Sequence, residues 1–438
     1  MSKLYGSMSR EELLAELNSV KAEYDSLKAQ GLSIDMSRGK PGADQLDICD
    51  DMLKVLDGCD FKCESGLDVR NYGILDGIPE CKKLFADLLE VKPENVIVGG
   101  NSSLSMMFDF VSQCMYNGAG FTPWAQQGKV KFLCPCPGYD RHFAICEFFG
   151  IEMINIPMTS EGPDMDAIEE AVKDSSVKGM FCVPKYSNPQ GITFSAETVK
   201  RIANLTPAAN DFRIIWDNAY CVHDLTDTTD ELVNIFDILP ERNADMVIEV
   251  ASTSKISYPG AGVACLVSSV NNIKEILKRL TIQSISYDKV NMLRHVKFFK
   301  NVDGIKAHMK RHAAILKPKF DAVLDTLDSD LSGLGIAEWN VPNGGYFISL
   351  DVTSGSASRV GVLCKEAGVT LTNVGATFPY GKDPSDSNIR IAPSYPTPEE
   401  LAVAADIFER DLNKISTQTK EITQKTENIV EVPGALIQ

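Results

Sequence analysis

Residues 213–220 read Arg-Ile-Ile-Trp-Asp-Asn-Ala-Tyr, a short apolar run that ends on a carboxylate. From about residue 91 onward, similar β-branched runs alternate with stretches of helical periodicity. Runs of this kind, separated by amphipathic helices, indicate βα units and a mostly parallel sheet that helices bury. The pattern therefore predicts an α/β protein. The other runs are residues 96–98, 131–133, 179–183, 246–250 and 262–267.

The two ends of the chain differ from this alternating region. Ser9 followed by Glu12 predicts a capping box at the start of a helix that Gly31 ends. A long charged amphipathic stretch covers about residues 302–327, and residues 344–350 predict a turn that leads into a strand. These changes indicate a second, smaller α+β unit.

We therefore predict three segments. Residues 1–54 form an N-terminal arm and part of the small domain, residues 55–305 form the large domain, and residues 306–438 complete the small domain and carry a polar tail. The tail, residues 416–428, is rich in Thr, Lys, Glu and Gln. Such a composition favours a frayed end or an arm that lies on a partner subunit.

The composition of the chain excludes several classes of protein. Its 438 residues include 43 Lys and Arg against 60 Asp and Glu, a net charge of −17, which argues against binding to nucleic acid phosphates. A content of 44% hydrophobic and 24% charged residues is typical of globular proteins. Because no apolar run approaches the roughly 20 residues of a membrane span and the N-terminus does not resemble a secretory signal, we expect a cytoplasmic protein without a membrane partner.

The twelve cysteines make up under 3% of the chain, which is too sparse for a disulfide scaffold. Cys182 and Cys265 lie inside apolar runs, where a thiol acts as a small core side chain. We therefore expect reduced thiols.

No metal site is predicted either. Cys134, Cys136 and Cys146 lack a second pair at the spacing of a zinc site. His308 and His312 lie one helical turn apart, but Lys306, Lys310 and Arg311 surround them, which favours a solvated cationic face.

Four of the apolar runs are followed by unusual polar residues. In open α/β sheets, ligands bind at the carboxyl ends of the strands. Taken singly, each polar segment has a structural explanation as a turn, a helix cap or an ordinary loop. In combination they predict a binding site. The segments are residues 99–103, 184–191, 217–220 and 251–255.

An ordered set of residues in these segments resembles the fold-type I pyridoxal-phosphate enzymes, and its spacing is similar to that of the class I/II aminotransferases. The set comprises Asn188, Asp217 with Tyr220, Lys255 preceded by Ser252 and Ser254, and Arg390 in Asn388-Ile-Arg390. Within this family the chain resembles most the bacterial aspartate aminotransferase subgroup, through Gly39-Lys40-Pro41 and Pro137-Gly-Tyr-Asp-Arg-His-Phe143. The resemblance runs from about Asp35 to the final helices. It implies a large domain with a mostly parallel seven-stranded sheet between helices, plus a smaller α+β domain.

The resemblance implies pyridoxal 5'-phosphate as the cofactor and gives roles to the catalytic residues. Lys255 would hold the cofactor as a Schiff base and then move a proton between Cα and C4′ of the substrate adduct. Asp217 would keep the pyridine nitrogen protonated. Asn188 and Tyr220 would donate hydrogen bonds to the 3′-oxygen and so lower the pKa of the imine.

The remaining cofactor contacts follow from the same resemblance. The phosphate needs small hydrogen-bond donors, which serine hydroxyl groups and the backbone N–H groups of a helix N-terminus provide. The predicted residues are Ser102, Ser103, Ser252 and Ser254. Tyr139 would stack on the ring. Tyr72 matches the tyrosine that family members contribute across a subunit interface, so a homodimer is implied. Many members also carry an arginine about eight residues after the lysine, but residues 256–263 contain none.

The substrate contacts are expected to include Gly39, Asn188 and Arg390. The planar guanidinium of Arg390 matches an α-carboxylate bidentately. A dicarboxylic amino acid needs a second cation for its distal carboxylate. Arg141 is the first candidate, followed by Arg38, Lys40 and Arg294.

The implied reaction transfers the amino group of an amino acid, foremost L-aspartate, to 2-oxoglutarate by a ping-pong mechanism through pyridoxamine phosphate. A β-decarboxylase or C–S lyase on the same fold is the alternative. An amine-sensing regulator would need a DNA-binding winged helix ahead of the fold. About 35 residues precede the resemblance, and we expect this segment to be too short for such a domain.

Overall fold

The computed structural model describes residues 7–407, 410, 412 and 413. Its α-helices are α1 (Arg10–Lys28), α2 (Ala43–Asp47), α3 (Pro79–Leu88), α4 (Ser103–Tyr116), α5 (Asp140–Phe148), α6 (Met165–Ala171), α7 (Ala196–Ala203), α8 (Ile235–Ile238), α9 (Val270–Gln283), α10 (Lys289–Phe299), α11 (Val302–Leu331) and α12 (Ala357–Glu366). Residues 398–407 are also helical. The strands are β1 (Ile34–Met36), β2 (Val96–Val98), β3 (Lys131–Cys136), β4 (Glu152–Thr159), β5 (Gly162–Pro163), β6 (Val177–Cys182), β7 (Arg213–Asp217), β8 (Val247–Ser252), β9 (Ala264–Val267), β10 (Ala337–Trp339), β11 (Ile348–Val352), β12 (Val369–Leu371) and β13 (Asn388–Ile391).

The large sheet has the order β2-β9-β8-β7-β6-β3-β4-β5. Its five central strands, β8 to β4 in this order, are parallel, whereas β9 and β5 pair antiparallel with their neighbours. The predicted α/β class with a mostly parallel sheet is confirmed. The sheet has one strand more than expected, because β5 contains only two residues and is too short to leave a periodic pattern.

The central strands read as continuous apolar runs because both faces of the sheet are covered. Every residue of β6 and β7 is buried. On one face, Phe132 and Phe181 pack against α4 and α5, and on the other Ile214 and Trp216 pack against α6 and α7. Parallel strands that are buried on both faces are typical of βα architectures. The sheet thus forms a rigid support whose strand ends carry the polar residues.

The two ends of the chain pack together. Strands β10, β11 and β13 form an antiparallel sheet, and β1 pairs in parallel with β12. Leu13 of α1 belongs to the same hydrophobic core as Phe320 of α11 and Ile348 of β11. The predicted capping box of α1 is present: the Ser9 amide donates to Glu12 at 2.7 Å and the Glu12 amide to Ser9 Oγ at 3.3 Å. The domain boundaries at residues 54 and 305 stay predictions.

The prediction for His308 and His312 was wrong. Both lie in the interior, with 5% and 0% of their surface exposed, whereas Lys306, Lys310 and Arg311 are exposed. Lys306 and Lys310 lie on the opposite side of α11 from the histidines, and although Arg311 is close enough to help lower the pKa of both imidazoles, burial is the larger cause of that shift.

No disulfide joins any of the twelve cysteines, all of which lie within the described residues. Within residues 7–407, moreover, no helix combines the length and the apolar character that crossing a bilayer requires. The tail at residues 416–428 lies outside the described residues.

Glu249 is a buried acid in the middle of the large sheet. It lies on β8, and Asn218 Nδ2 donates to its Oε1 at 2.8 Å. Burial raises the pKa of Glu249 to about 7, and the Asn218 hydrogen bond offsets only part of this shift. Because the folded protein then binds a proton more tightly than the unfolded chain, Glu249 lowers stability progressively as the pH rises from about 4.5 through 7.

We predict that Glu249→Gln stabilises the protein at pH 8 by about 3 kcal/mol, the cost of ionising a buried carboxyl group whose pKa is raised this far. At pH 4.5 the variant should match the parent, because the glutamine amide oxygen still accepts from Asn218. Denaturant unfolding at both pH values measures the difference. The exposed Glu241→Gln is the control, and an equal gain at both pH values would contradict the assignment.

Candidate active site

A cavity of about 240 Å³ opens at the carboxyl ends of β6, β7 and β8. Strand β7 ends at Asp217, β8 ends three residues before Lys255, and α4 begins at Ser103, so the sheet brings these segments to one place. The cavity contains every predicted cofactor residue except Tyr72. These residues are Ser102, Ser103, Tyr139, Asn188, Asp217, Tyr220, Ser252, Ser254 and Lys255.

Asp217 is the buried acid of this cavity. His142 Nε2, on α5, donates to Asp217 Oδ2 at 3.0 Å. The ring of His142 stacks on Phe181, with centroids 4.6 Å apart, which fixes its orientation. Asp217 Oδ1 is buried and has no hydrogen-bond partner among the described residues. A buried carboxylate oxygen without a partner is costly, so this atom is suited to a donor on a ligand.

Lys255 lies over two aromatic rings. Its Nζ is 5.2 Å from the ring centroid of Tyr220 and 5.8 Å from that of Tyr346. Burial lowers the pKa of Lys255, the Asp217 carboxylate opposes this shift, and the Arg390 guanidinium adds to it. A larger fraction of the amine is therefore neutral near pH 7 than for a solvated lysine, which suits a nucleophile and a base.

Tyr139 and Tyr220 present phenol groups to the same cavity. Burial raises the pKa of Tyr139 to about 12 and that of Tyr220 well above its usual value, and the Asp217 carboxylate contributes to both shifts. Both side chains therefore stay hydroxyl donors at neutral pH.

The other end of the cavity is rich in hydroxyl groups. Ser102 Oγ caps α4 by accepting from the Leu104 amide at 3.2 Å. Ser252 Oγ donates to Ser254 Oγ at 3.0 Å, and Ser254 Oγ donates to the Asn101 carbonyl at 3.2 Å. A helix N-terminus with adjacent hydroxyls is typical of an anion-binding site.

Arg390, on β13 of the small sheet, lies outside the cavity lining but contacts Asn188, which lines the cavity. Its Nη1 donates to Asp140 Oδ1 and to Asn188 Oδ1, each at 3.1 Å. The guanidinium lies 4.8 Å from the ring centroid of Phe347. Gly39 lies against the same ring, and a Cβ at this position would come within 2.6 Å of it. Glycine at this position lets the segment approach Phe347, and the substrate contact expected of Gly39 stays a prediction.

Several predicted site residues lie outside the cavity lining. Arg141 is exposed on α5, with its Nε 3.7 Å from Asp140 Oδ2. Tyr72 is 72% exposed. Lys40 pairs with Asp35 at 3.0 Å and lies over the ring of Tyr395.

Two residues of the site were not assigned a role from the sequence. His142 follows Tyr139 by three residues, and this helical spacing is a signal that both side chains face one way. Tyr346 follows the Gly344-Gly345 turn, but no local pattern places its ring beneath Lys255.

The family model described as "Aspartate amino-transferase" matches residues 8–424. The chain belongs to the aspartate aminotransferase family. It is 48% identical over 390 residues to the aspartate aminotransferase of Corynebacterium glutamicum, a match that covers 88% of this chain and 90% of that protein. The predicted membership of the fold-type I aminotransferases is confirmed, and the chain is an aminotransferase.

Two solved aminotransferase structures share this fold. An aspartate transaminase from Corynebacterium glutamicum superimposes with a TM-score of 0.93 at 44% identity, covering 96% of this chain and 100% of the other. LysN, an α-aminoadipate aminotransferase from Thermus thermophilus solved with N-(5'-phosphopyridoxyl)-L-leucine, shares the fold with a TM-score of 0.71 at 18% identity. That match covers 90% of this chain and 95% of LysN.

We predict that His142→Phe destabilises the cofactor-free protein by about 1–3 kcal/mol. The variant keeps a ring against Phe181 but leaves both oxygens of the Asp217 carboxylate without a donor, and a buried acceptor that loses its partner costs about this much. Denaturant unfolding checks the value. His142→Gln, which keeps a side-chain N–H, is the control and should lose less; a smaller loss in His142→Phe than in His142→Gln would show that the ring and not the hydrogen bond matters.

Proposed function

We propose that this aminotransferase carries pyridoxal 5'-phosphate and moves the amino group of L-aspartate to 2-oxoglutarate. The observation that carries the proposal is the buried Asp217 Oδ1, which has no hydrogen-bond partner among the described residues, in a cavity that Lys255 also lines. The Corynebacterium glutamicum relative supports aspartate as the donor. The ligand of LysN supports the cofactor.

The residues of the cavity fit this cofactor at three points. The unpartnered carboxylate oxygen of Asp217 suits a protonated pyridine nitrogen. The amine of Lys255, with its lowered pKa, suits covalent attachment to an aldehyde. The hydroxyl groups of Ser252 and Ser254 and the N-terminus of α4 suit a phosphate. They would bind it without the help of an arginine from residues 256–263, which contain none.

When bound, pyridoxal phosphate supplies a covalent link to the amino group and an electron sink for the Cα–H bonding electrons. Lys255 removes the Cα proton and delivers it to C4′. Asp217 holds a proton on the pyridine nitrogen, and His142 holds the Asp217 carboxylate in place through the hydrogen bond to Oδ2. Asn188 and Tyr220, which line the cavity, would donate hydrogen bonds to the 3′-oxygen, and Tyr139 would cover one face of the ring.

Arg390 binds the α-carboxylate of the substrate. Its Nη1 now donates to Asp140 and Asn188, and an incoming carboxylate takes the place of the Asp140 side chain, which is the more exposed of the two acceptors. Arg141, the neighbour of Asp140 on α5, is our candidate for the distal carboxylate. Its side chain is solvated and long enough to change its direction.

We propose a homodimer in which Tyr72 of each subunit contributes its hydroxyl group to the phosphate site of the other. The high exposure of Tyr72 in the single chain supports a role outside its own fold. The cytoplasmic location stays a prediction.

The direct test of the reaction is its stoichiometry. With L-aspartate and 2-oxoglutarate, we expect one glutamate for each oxaloacetate formed. Release of carbon dioxide, pyruvate or ammonia in its place would support the β-decarboxylase or lyase instead.

We predict that Lys255→Ala abolishes both the visible absorbance of the bound cofactor and turnover, since the covalent link and the proton transfer use the same amine. Absorbance spectra and steady-state rates measure these losses. Lys185→Ala is the matched control, because Lys185 is also buried beyond the end of a strand but lies outside the cavity lining. Measurable transamination by Lys255→Ala would show that another lysine performs the chemistry.

We predict that Arg390→Ala weakens binding of every amino acid by about 1.5–3 kcal/mol for each charged hydrogen bond lost. Arg141→Ala should weaken binding of aspartate but leave a monocarboxylic amino acid such as alanine unchanged. Michaelis constants for both amino acids in both variants separate the two roles. Equal effects of Arg141→Ala on both substrates would remove Arg141 from the distal site.

A further inference from the structure

A second cluster of reactive side chains lies beneath the catalytic lysine and outside the cavity lining. It consists of Cys49, which follows α2, and of His308 and His312, which lie one turn apart on α11. The three residues are 0%, 5% and 0% exposed. They surround the carbonyl oxygen of Ile256, the residue that follows Lys255. We call this group the Cys49–His308–His312 cluster.

The atoms of the cluster are arranged like the ligands of a tetrahedral ion. Cys49 Sγ is 3.5 Å from His308 Nε2, and the two Nε2 atoms are 3.1 Å apart. Bond lengths of about 2.3 Å to sulfur and 2.0–2.1 Å to nitrogen put tetrahedral ligands about 3.6 Å and 3.3 Å apart for the same pairs. All three ligand atoms lie within 4.8 Å of one another.

The Ile256 carbonyl oxygen completes the tetrahedron. It is 2.9 Å from His308 Nε2, 3.1 Å from His312 Nε2 and 3.8 Å from Cys49 Sγ. Four potential ligand atoms thus converge on one small volume from three separate segments of the chain.

Hydrogen bonds alone do not satisfy all the polar atoms of the cluster. Both Nε2 atoms point at the same carbonyl oxygen, so two N–H groups cannot both donate to it without facing each other across 3.1 Å. If one nitrogen presents a lone pair instead, that imidazole gives up its bond to the carbonyl. A cation between the four atoms satisfies all of them at once.

We propose that the Cys49–His308–His312 cluster binds one Zn²⁺ ion per chain through Cys49 Sγ and the two Nε2 atoms, with the Ile256 carbonyl oxygen as the fourth ligand. A thiolate with two imidazoles is a donor set that zinc prefers. The thiol S–H bond breaks as the Zn–S bond forms, and the proton passes to solvent.

The surroundings of the cluster bear on the protonation of its ligands. The amide of Gln45 lies 3.1 Å from His312 Nδ1 and 2.8 Å from the Tyr346 hydroxyl. When the ion binds Nε2 of His312, the ring proton lies on Nδ1. A 180° rotation of the Gln45 side-chain amide then presents its oxygen as the acceptor for that proton.

The ion would connect three parts of the protein. Cys49 belongs to the N-terminal segment, the histidines belong to α11, and Ile256 belongs to the loop that carries Lys255. Because Zn²⁺ binds only where these segments meet, it should stabilise the folded state, by an amount that grows with the logarithm of its concentration above the dissociation constant. Its role in this account is structural, holding the lysine loop in place.

The test uses the cofactor-loaded enzyme after treatment with a chelator, titrated first with Co²⁺ as a spectroscopic probe. We expect the red absorption of tetrahedral Co²⁺, where pyridoxal phosphate does not absorb, to saturate at one ion per chain. Zn²⁺ should then displace the Co²⁺ and raise the midpoint of thermal unfolding.

Matched variants separate this site from metal binding by the cofactor itself. Cys49→Ser and His308→Gln should lose the red absorption and the Zn²⁺-dependent rise in the unfolding midpoint. Cys114→Ser, which replaces another fully buried cysteine, should keep both. If the wild-type enzyme shows no tetrahedral Co²⁺ spectrum, or if Cys49→Ser binds Co²⁺ as the wild type does, the cluster is a hydrogen-bonded group only and the proposal is wrong.

Discussion

The chain buries a carboxylate, Asp217, at the end of a strand in the middle of its sheet, and the part of the chain that the structure describes provides a donor for only one of its oxygens. Burial of a charge is costly unless it is paired, and the single bond from His142 leaves half of that requirement unmet. The remaining oxygen favours a ligand with a positive N–H group. The choice of ligand depends on this arrangement.

The rest of the fold brings other groups to that carboxylate. Strands β7 and β8 are neighbours, so Asp217 and Lys255 arrive at the same edge of the sheet. Arg390 comes from the small antiparallel sheet and meets Asn188, which follows β6. The segment at Gly39 supports Arg390 through Phe347. The substrate end of the site therefore depends on packing between the ends of the chain and its centre.

Local signals predicted the architecture and four of the segments that line the cavity, whereas Tyr139 was predicted only from the resemblance to the aminotransferases. Apolar runs mark buried strands, and the polar residues that follow them mark the strand ends where ligands bind. The features that the sequence did not predict depend on contacts between distant segments of the chain. Nothing near Tyr346 indicates that its ring lies below Lys255, and the two residues of β5 are too few for a pattern. For His308 and His312, the prediction gave more weight to the charged residues beside them in sequence than to the helical periodicity, which places the histidines on the buried side of α11.

The central claim is that Asp217 accepts a hydrogen bond from the pyridine nitrogen of the cofactor and keeps that nitrogen protonated. The most direct measurement is the ¹⁵N chemical shift of that nitrogen in enzyme loaded with ¹⁵N-labelled pyridoxal phosphate, recorded at pH 8 for the wild type and for Asp217→Asn. The account predicts the shift of a protonated pyridine in the wild type and of a neutral pyridine in the variant. A neutral pyridine in the wild-type enzyme would contradict it.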